Sequence, residues 1–365
     1  MILFYVSGHG FGHATRAVAL VRALRARQPR AEIAVVSDAP SWIFTDADPK
    51  VRCFKAAIDP GLFQMSGLDV DLPRSLKAHE MFIAGWDRAV EREGCRIRRL
   101  GAALVVGDIP PLAFAAAHGA GVKSVAVANF SWDWILSRYV ALQPRWEAII
   151  RRYGAAYSFA DELFRLPMAP DDFAAFRKST PIPFLVNRCE FKKDEARRRL
   201  AIKDSDRRRL VLITFGGFGS GPLSAGRGDD MSDTLFAGFG PKPKGLAAGW
   251  LGLARRLKFP HVNVVAACDA LIGKPGYGTF AEAFAHRKPI LYLPRENFAE
   301  TPVLIEWMQK RGCARPIARD RFFKGLWRAE LDALMAENQS WASLPLNGAE
   351  VLAERLAGFV KISRW

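Results

Sequence analysis

The sequence predicts an α/β protein built from two doubly wound parallel sheets, and three observations lead to this prediction. Apolar runs of strand length alternate with helical patterns through most of the 365 residues. The alternation starts again after the charged segment KKDEARRRLAI. Glycine-rich segments follow strands in both halves. A chain of this length exceeds one typical domain and suits two.

Helical stretches separate most of the strands predicted in the first half, which read ILFYVS, EIAVVSD, VRCFKA, ALVVGD and KSVAVAN. Those of the second half read RLVLITFGG, NVVAAC, ALIG and PILYLPR. The glycine-rich segment 221–245 is predicted to be a long loop. The segment STPIPFLVN has the composition of a linker. We therefore predict an N-terminal domain over residues 1–183, a C-terminal domain over 184–348 and an amphipathic helix within 349–365.

Composition narrows the class of protein. The five cysteines are dispersed without a CxxC pair, which is typical of reduced thiols in a cytosolic protein. No apolar run approaches the ~20 residues of a membrane span, and the chain opens on a strand pattern without a basic leader. We therefore expect a cytoplasmic protein. The net charge of +16 favours anionic partners. No nucleic-acid-binding signature accompanies it, and solvated helix faces remain the alternative explanation.

The first candidate site is the loop after the first strand, SGHGFGHATR. In open parallel sheets, ligands bind beyond the carboxyl ends of the strands, where strand order reverses. Glycines such as Gly12 let a substrate approach the backbone. His13 lies at a helix start, where the macrodipole favours the neutral imidazole that a general base requires. Asp108, which ends the strand ALVVGD, is the candidate to orient it. Two alternatives stay open: both residues are simple caps, or His9 is the working imidazole.

The second candidate site is the segment GKPGYGTFAEAFA. Gly276 and Gly278, with the hydroxyl of Thr279, form a nest of N–H groups suited to phosphate. Lys274 adds a cation, and the carboxylate of Glu282 is placed to accept hydrogen bonds from a ribose diol. The TFGGFGSG turn offers a second set of N–H groups, at Gly216, Gly217 and Gly219. Three glycine-rich strand ends in two units predict a nucleotide site between the domains.

Five segments resemble, in the same order, the glycosyltransferase-like N-terminal region of plant arabinokinases: GHGFGHATR, NFSWDWILSRYV, GKPGYGT, LPRENFAETPVLIEWM and NGAEVLAERL. More broadly, the two Rossmann-like units with their glycine loops resemble the GT-B glycosyltransferases. They are most similar to the branch that includes the lipid-linked N-acetylglucosaminyltransferase of peptidoglycan synthesis. The resemblance spans nearly the whole chain. It implies a GT-B fold, in which two Rossmann-like domains face each other across a cleft, and it implies no kinase activity.

The resemblance also implies roles for individual residues. His13 matches the base of inverting members, and Asp108 matches the aspartate that orients it. The N-terminal domain is then the acceptor side, and the last helix is the one that crosses back to that domain. On the donor side, Gly276 matches the phosphate-binding turn, together with Thr279. Two acidic residues match those that address the donor ribose and the donor sugar, Glu282 and Glu300 respectively.

These residues predict an inverting, metal-independent glycosyltransferase. His13 takes the proton of an acceptor hydroxyl, and backbone N–H groups of the glycine turns stabilise the leaving diphosphate. Lys274 or Arg16 is expected to assist. The expected donor is a UDP-sugar, with no further cofactor. Trp132 and Asp133 follow the fifth strand and are acceptor-side candidates with His9, although core packing is the competing interpretation of the tryptophan.

Two alternative functions remain. A nucleotide-sugar 2-epimerase uses the same fold and the same imidazole–carboxylate pair without an acceptor. A catalytically silent nucleotide-sugar-binding protein needs neither the pair nor an acceptor.

The acidic triplets at 46–48, 69–71 and 204–206 have the spacing of a metal site but are interpreted as surface turns, so no metal is expected. The acceptor stays open. Lipid-linked or otherwise anionic acceptors fit the positive charge, with peripheral membrane contact as one form of this interaction.

Overall fold

The structure, a computed structural model, describes residues 1–65, 67–171, 173–215, 228–243, 246, 248–254, 260–337 and 341–359. Within them the strands form two sheets, one of seven strands and one of six. Every strand pair of both sheets is parallel. The prediction of two parallel-sheet α/β units is therefore confirmed.

The first sheet has the order β3-β2-β1-β4-β5-β6-β7. Its strands are β1 Ile2–Val6, β2 Ile33–Ser37, β3 Arg52–Lys55, β4 Leu104–Asp108, β5 Ser124–Ala128, β6 Glu162–Arg165 and β7 Ser179–Pro181. The helices between them are α1 Phe11–Arg27, α2 Trp42–Thr45, α3 Leu72–Ala84, α4 Trp86–Arg99, α5 Pro111–Gly119, α6 Trp132–Ser137 and α7 Trp146–Tyr157. Strand order reverses between β1 and β4.

The second sheet repeats this scheme with the order β10-β9-β8-β11-β12-β13. Its strands are β8 Arg209–Thr214, β9 Met231–Phe239, β10 Ala248–Leu253, β11 Ala270–Gly273, β12 Ile290–Tyr292 and β13 Ala314–Pro316. Its helices are α8 Lys193–Arg199, α9 His261–Ala267, α10 Tyr277–Ala285, α11 Glu300–Arg311, α12 Arg319–Phe323, α13 Arg328–Ala336 and α14 Gly348–Phe359. Strand order reverses here between β8 and β11.

Helices cover both faces of each sheet, which is why the central strands are apolar without alternation. In β1, Phe4 belongs to one buried cluster and its neighbour Tyr5 to another. In β8, Leu212 and Ile213 divide in the same way. The cluster that contains Phe4 continues through residues 182–186 to the second sheet. The two units therefore share one continuous apolar core.

The predicted linker is buried. Phe184 is fully enclosed, and its ring stacks on Phe284 with centroids 5.3 Å apart. Gly348 is the first residue of α14 and packs tightly against this segment, since a Cβ there would lie 2.2 Å from the carbonyl oxygen of Pro183. Helix α14 then packs against α1 of the first unit. The segment between the two sheets and the last helix thus form one packed junction.

Two secondary-structure predictions for the second half are wrong. The run NVVAAC, predicted as a strand, lies in α9, because a short apolar run buried on all sides does not distinguish a helix from a strand. The segment 221–245, predicted as a loop, contains β9. In β9 a Cβ on Gly238 would lie 2.4 Å from the indole of Trp250. The glycine that suggested a loop therefore makes room for a side chain of the neighbouring strand β10.

Candidate active site

The two halves meet where the strand order of each sheet reverses. The loop after β1 and the loop after β11 both lie at these switch points. A Cβ on Gly278 would lie 3.6 Å from the Cα of Gly12. The first turns of α1 and α10 are therefore in contact across the cleft, which is the space between the carboxyl ends of the two sheets.

Glycines around the cleft have different functions. Gly10, the N-cap residue of α1, has a φ of 82°, which favours glycine. Gly8 is a packing glycine, since a Cβ there would lie 3.0 Å from the Cβ of Asp38. At Gly12 and Gly276, a Cβ would meet no described atom within 4 Å. These last two leave room beside the backbone for a substrate.

His13 and Asp108 form the first predicted pair. His13 lies in the first turn of α1 and is 7% exposed. Asp108 is the last residue of β4 and lies opposite Val6 in the parallel pairing with β1. This register brings the carboxylate to the start of the loop, where Oδ1 lies 2.8 Å from Nδ1 of His13. The side chain of Asp108 is thus used by the histidine rather than by a helix cap.

The backbone next to Asp108 is strained. Ile109 has a φ of 137°, which is rare for a β-branched residue. Its carbonyl accepts a 2.7 Å hydrogen bond from the hydroxyl of Tyr157. The same hydroxyl accepts a 3.1 Å bond from the backbone N–H of Trp132. The turn that presents the aspartate is thereby held by two neighbouring elements.

Arg16 also holds Asp108. Its Nε donates to Oδ2 at 2.5 Å, and Nη2 donates to Oδ1. Its Nη1 donates to Oδ1 of Asn129 at 2.7 Å. All three guanidinium nitrogens are thus engaged within the N-terminal unit, and the side chain is 5% exposed. Three of its five N–H groups are thus taken by a buried carboxylate and an amide, which gives Arg16 a role in holding Asp108. The expected contact of Arg16 with the diphosphate stays a prediction.

The hydrogen bonds of His13 indicate which of its nitrogens is left to accept a proton. Burial acts to raise the pKa of Asp108, but Arg16 and His13 outweigh burial and hold that pKa below its usual range. Nδ1 of His13 also lies 3.0 Å from Nη2 of Arg16, which itself donates to Oδ1 of Asp108. Because the ionised carboxylate only accepts, its contact favours the tautomer with the proton on Nδ1 of His13. The lone pair of the neutral imidazole is then on Nε2. The arrangement is that of a base oriented by a carboxylate.

His9 lies beside a different partner. Its Nε2 is 3.0 Å from the side-chain nitrogen of Gln64, which donates because its oxygen accepts from Lys274 at 3.2 Å. Burial, and then the neighbouring His13, lowers the pKa of His9 to about 3. The ring contacts the edge of Trp132. Because Gln64 occupies the Nε2 lone pair, the geometry favours His13 over His9 as the base.

The two acceptor-side candidates after β5 lie inside the N-terminal unit. Trp132 is 1% exposed, and its indole N–H donates to Asp59 at 3.2 Å. Burial raises the pKa of Asp59 to about 6, although the hydrogen bond from Trp132 acts to lower it. Asp133 is half-buried, with one carboxylate oxygen 4.0 Å from a Cβ built on Gly154. The buried position of Trp132 supports core packing over stacking on an acceptor.

The donor side is built around α10. The helix begins at Tyr277, two residues before Thr279, which lies half-buried in its first turn. The guanidinium of Arg16 lies 5.2 Å from the centre of the Tyr277 ring. Burial, and then the charge of Arg295, lowers the pKa of Lys274 to about 7. An ammonium group with a labile proton therefore lies next to the turn that Gly276 leaves open.

Glu282 and Glu300 are both buried, and each has a partner. Oε2 of Glu282 lies 2.8 Å from Nδ1 of His261. Burial acts to lower the pKa of that histidine, but the carboxylate outweighs burial and raises it. Glu300 is the first residue of α11, and its Oε2 accepts from Nδ2 of Asn129 at 3.4 Å. Asn129 thereby joins the second unit to Arg16 of the first.

Sequence reasoning missed three polar residues of the cleft. Asn129 directly follows β5, and Arg295 lies three residues after β12; position at a strand end is the signal that identifies both. His261 had no such signal, because its helix was predicted as a strand. The three glycines Gly216, Gly217 and Gly219 lie outside the described residues.

The residues that the structure describes include neither a metal-binding cluster nor a membrane-spanning helix. Among them, no group of three or more His, Cys, Asp or Glu side chains could hold a metal ion. Instead, each acidic triplet supplies a carboxylate to an arginine, in the pairs Arg25–Asp48, Arg319–Asp69 and Arg208–Asp206. Over the same residues, no helix has the length and apolar character to cross a membrane.

Comparison with known proteins gave one curated relative and many solved structures. No family model matches the chain. L-arabinokinase of Arabidopsis thaliana is 31% identical over 373 residues, which cover 97% of this chain. The chain spans about a third of the length of that relative (34%).

The solved structures include the glycosyltransferase of kitacinnamycin, with a TM-score of 0.65, 16% identity and coverage of 98% of this chain and 99% of that one. Phytolacca americana UGT2, complexed with UDP-2-fluoro-glucose and pterostilbene, has a TM-score of 0.62, 11% identity and coverage of 98% and 94%. Acinetobacter baumannii MurG has a TM-score of 0.55, 12% identity and coverage of 98% and 99%. The chain therefore has the GT-B fold of these glycosyltransferases.

Proposed function

We propose that this protein is an inverting, metal-independent glycosyltransferase that moves a sugar from a nucleotide-sugar donor to an acceptor hydroxyl. The observation that supports this best is the 2.8 Å contact between Nδ1 of His13 and Asp108, because it leaves Nε2 as a base in the cleft. The open turn at Gly276 lies in the opposing unit. A base and a phosphate-binding turn on two sides of one cleft are what such a transfer requires.

On the acceptor side, Nε2 of His13 takes the hydroxyl proton as the oxygen attacks the anomeric carbon. The attack comes from the face opposite the leaving nucleotide, so the anomeric configuration inverts. Asp108 stabilises the imidazolium that forms, and Arg16 orients Asp108. The acceptor is then bound by the N-terminal unit. The net charge of +16 supports an anionic acceptor, lipid-linked or soluble.

On the donor side, the bond that breaks joins the anomeric carbon to the diphosphate. The unpaired N–H groups at the start of α10, with the helix dipole, stabilise the negative charge on this leaving group. Lys274 adds a charge when protonated. Glu282 and His261 hold the ribose, and Glu300 holds the sugar. The UDP-sugar analogue bound by the Phytolacca americana enzyme supports a UDP-sugar as the donor here.

Calorimetric titration with UDP-sugars tests the proposal, combined with NMR analysis of the product. Wild type and His13→Ala are expected to bind the donor with similar affinity, whereas Glu282→Ala binds it at least ~10-fold more weakly. Transfer to an acceptor, with inverted anomeric configuration, is expected for wild type only. Arg25→Gln, which breaks a remote ion pair on α1, is the control for general effects on the fold.

Each alternative function predicts a distinct result. Consumption of the nucleotide sugar without an acceptor, with exchange of the proton next to the anomeric carbon, identifies a 2-epimerase. Donor binding without turnover under any condition identifies a silent binding protein. Retention of the anomeric configuration contradicts the role given to His13. Sedimentation with anionic vesicles tests separately for a cytoplasmic protein that contacts the membrane peripherally.

A further inference from the structure

Arg295 is a buried cation in the cleft that the proposed mechanism does not use. The residue is 6% exposed, and its guanidinium lies over the ring of Phe298, with Cζ 3.5 Å from the centroid. Both Nε and Nη2 are fully buried, and no described residue accepts a hydrogen bond from either. A buried donor that has lost its water and gained no acceptor is costly. Such a group is retained where a ligand supplies the acceptor.

The two unpaired nitrogens form one edge of the guanidinium. In Arg16, the corresponding edge, Nε with Nη2, binds both carboxylate oxygens of Asp108. Two parallel N–H groups match the two oxygens of a carboxylate, a geometry that a single hydroxyl does not satisfy. The Arg16–Asp108 pair therefore displays, within the same molecule, the kind of acceptor that the edge of Arg295 fits.

Charged groups of both signs lie near Arg295: the amine of Lys274 and the carboxylates of Glu300 and Asp69. Burial lowers the pKa of Arg295 to about 10, although the nearby carboxylate of Glu300 opposes this. The charge of Arg295 in turn helps to lower the pKa of Lys274. Both carboxylates already accept hydrogen bonds from other residues. An anion bound here would relieve the repulsion between the cations.

The loop that carries Arg295 is held against the N-terminal unit. The hydroxyl of Tyr139 donates a 2.6 Å hydrogen bond to the carbonyl of Asn297, whose φ of 58° turns the chain. Phe298, on which the guanidinium stacks, belongs to an apolar cluster of the N-terminal unit. The loop then leads directly into Glu300 at the start of α11. Arg295 is therefore fixed beside the residue proposed to hold the donor sugar.

We infer that the unpaired edge of Arg295 binds a carboxylate on the transferred sugar, so that the donor is a nucleotide-activated uronic acid. The inference rests on the proposed function, because it assigns the chemistry of that function's own donor. Lys274 remains next to the diphosphate turn at Gly276, and Arg295 recognises the sugar. A neutral sugar offers hydroxyl groups that leave the guanidinium charge uncompensated.

Titration calorimetry with matched donors tests this inference. The ligands are UDP, UDP-glucose and UDP-glucuronate, with GDP-mannose and GDP-mannuronate as a second pair. Wild type is expected to bind the uronate of the accepted nucleotide about 10- to 100-fold more tightly than its neutral partner. In Arg295→Gln this ratio is expected to approach one. Arg295→Lys keeps the charge without the paired edge and is expected to lose most of the preference.

Arg311→Gln is the matched control. Arg311 also stacks on an aromatic ring, that of Trp307 at 5.2 Å, but it ends α11, the helix that Glu300 begins, and it is exposed. The control is expected to keep the wild-type ratio, and thermal unfolding verifies that each variant folds.

Three results would overturn the inference. Equal binding of both members of each pair by wild type rejects the acidic sugar and leaves the proposed function standing. Equal weakening of UDP and UDP-glucuronate in Arg295→Gln shows that the arginine binds the diphosphate instead. Failure of wild type to bind any nucleotide or nucleotide sugar rejects the proposed function, and the inference with it.

Discussion

Arg16 binds Asp108 through two nitrogens, Nε at 2.5 Å from Oδ2 and Nη2 at Oδ1. Both side chains are almost fully buried. A planar fork that engages both oxygens sets the plane of the carboxylate as well as its position. The orientation of His13, which bonds to Oδ1, therefore depends on an arginine that lies one turn further along the same helix.

The first prediction concerns this orientation. Arg16→Lys keeps the positive charge but offers a point donor that cannot hold both oxygens of Asp108. We expect kcat to fall about 10- to 100-fold, while the donor KM changes little, because a misoriented base affects the chemical step. Steady-state kinetics with a saturating acceptor measures both quantities.

The control for this prediction lies on the same helix. Arg25 of α1 donates from Nε to Asp48 at 2.7 Å, far from the cleft. Arg25→Lys perturbs another arginine–carboxylate pair and is expected to leave kcat within about 2-fold of wild type, since neither Arg25 nor Asp48 bonds to His13 or Asp108. Equal losses of kcat in both variants would attribute the effect to stability alone.

The second prediction separates the two imidazoles of the first loop. His13→Ala removes the base, and a positioned general base contributes about 10²- to 10⁴-fold to a rate. We expect a loss of kcat in this range with donor affinity retained. His9→Ala removes a ring that contacts Gln64 and Trp132, so it is expected to change the acceptor KM more than kcat. A larger loss of kcat in His9→Ala would assign the base to His9.

The third prediction uses two glycines at the end of β11. Gly276→Ala adds a methyl group where no described atom lies within 4 Å, and the φ of Gly276 is −152°, which any residue adopts. We expect thermal stability close to wild type and donor binding weakened at least ~10-fold, because the methyl group enters the space left for phosphate. Thermal unfolding and calorimetry measure the two effects separately.

Gly273 gives the contrast. A Cβ on Gly273 would lie 2.2 Å from the carbonyl oxygen of Thr214 in the neighbouring strand β8. Gly273→Ala must separate two central strands, and overpacking of this kind costs about 1–3 kcal/mol of unfolding free energy. If Gly276→Ala unfolds as readily as Gly273→Ala, or binds donor normally, then the turn at Gly276 is not a phosphate site.

The placement of His13 and Asp108 could be predicted from the sequence because both follow from sheet topology. Asp108 ends β4, His13 lies in the first turn of the helix that follows β1, and β1 and β4 are neighbours where strand order reverses. The pairing of Arg16 with Asp108 could not be predicted, since it joins side chains 92 residues apart and depends on which way a helical arginine turns. The burial of Trp132 likewise depends on packing around Asp59 that no local pattern specifies.

The errors in the second half have a common physical cause. The residues of α9 are buried on all sides, so the run has no polar face to reveal a helical period. The reverse holds for β9, where Gly238 accommodates Trp250 and so weakens the strand pattern. In both elements the neighbours, and not the local propensity, determine the secondary structure.

The fourth prediction concerns pH. Burial and Arg295 lower the pKa of Lys274 to about 7, whereas the unfolded chain has the ordinary higher value. Between these values the unfolded state holds a proton that the folded state lacks, so this group makes the free protein more stable as pH rises through that interval. A bound diphosphate favours the protonated lysine. Donor affinity is therefore expected to fall as pH rises from 6 to 8, by at most about tenfold per pH unit above 7.

The diphosphate of a nucleotide sugar has no proton that titrates near neutrality, so the ligand itself does not produce this dependence. Calorimetry at several pH values, in buffers of different ionisation enthalpy, also measures the proton taken up on binding. In Lys274→Met, both the pH dependence and the proton uptake are expected to disappear, because the only change is loss of the titrating ammonium group. If the variant keeps the wild-type pH dependence, the proton belongs to another group, and Lys274 does not face the phosphate.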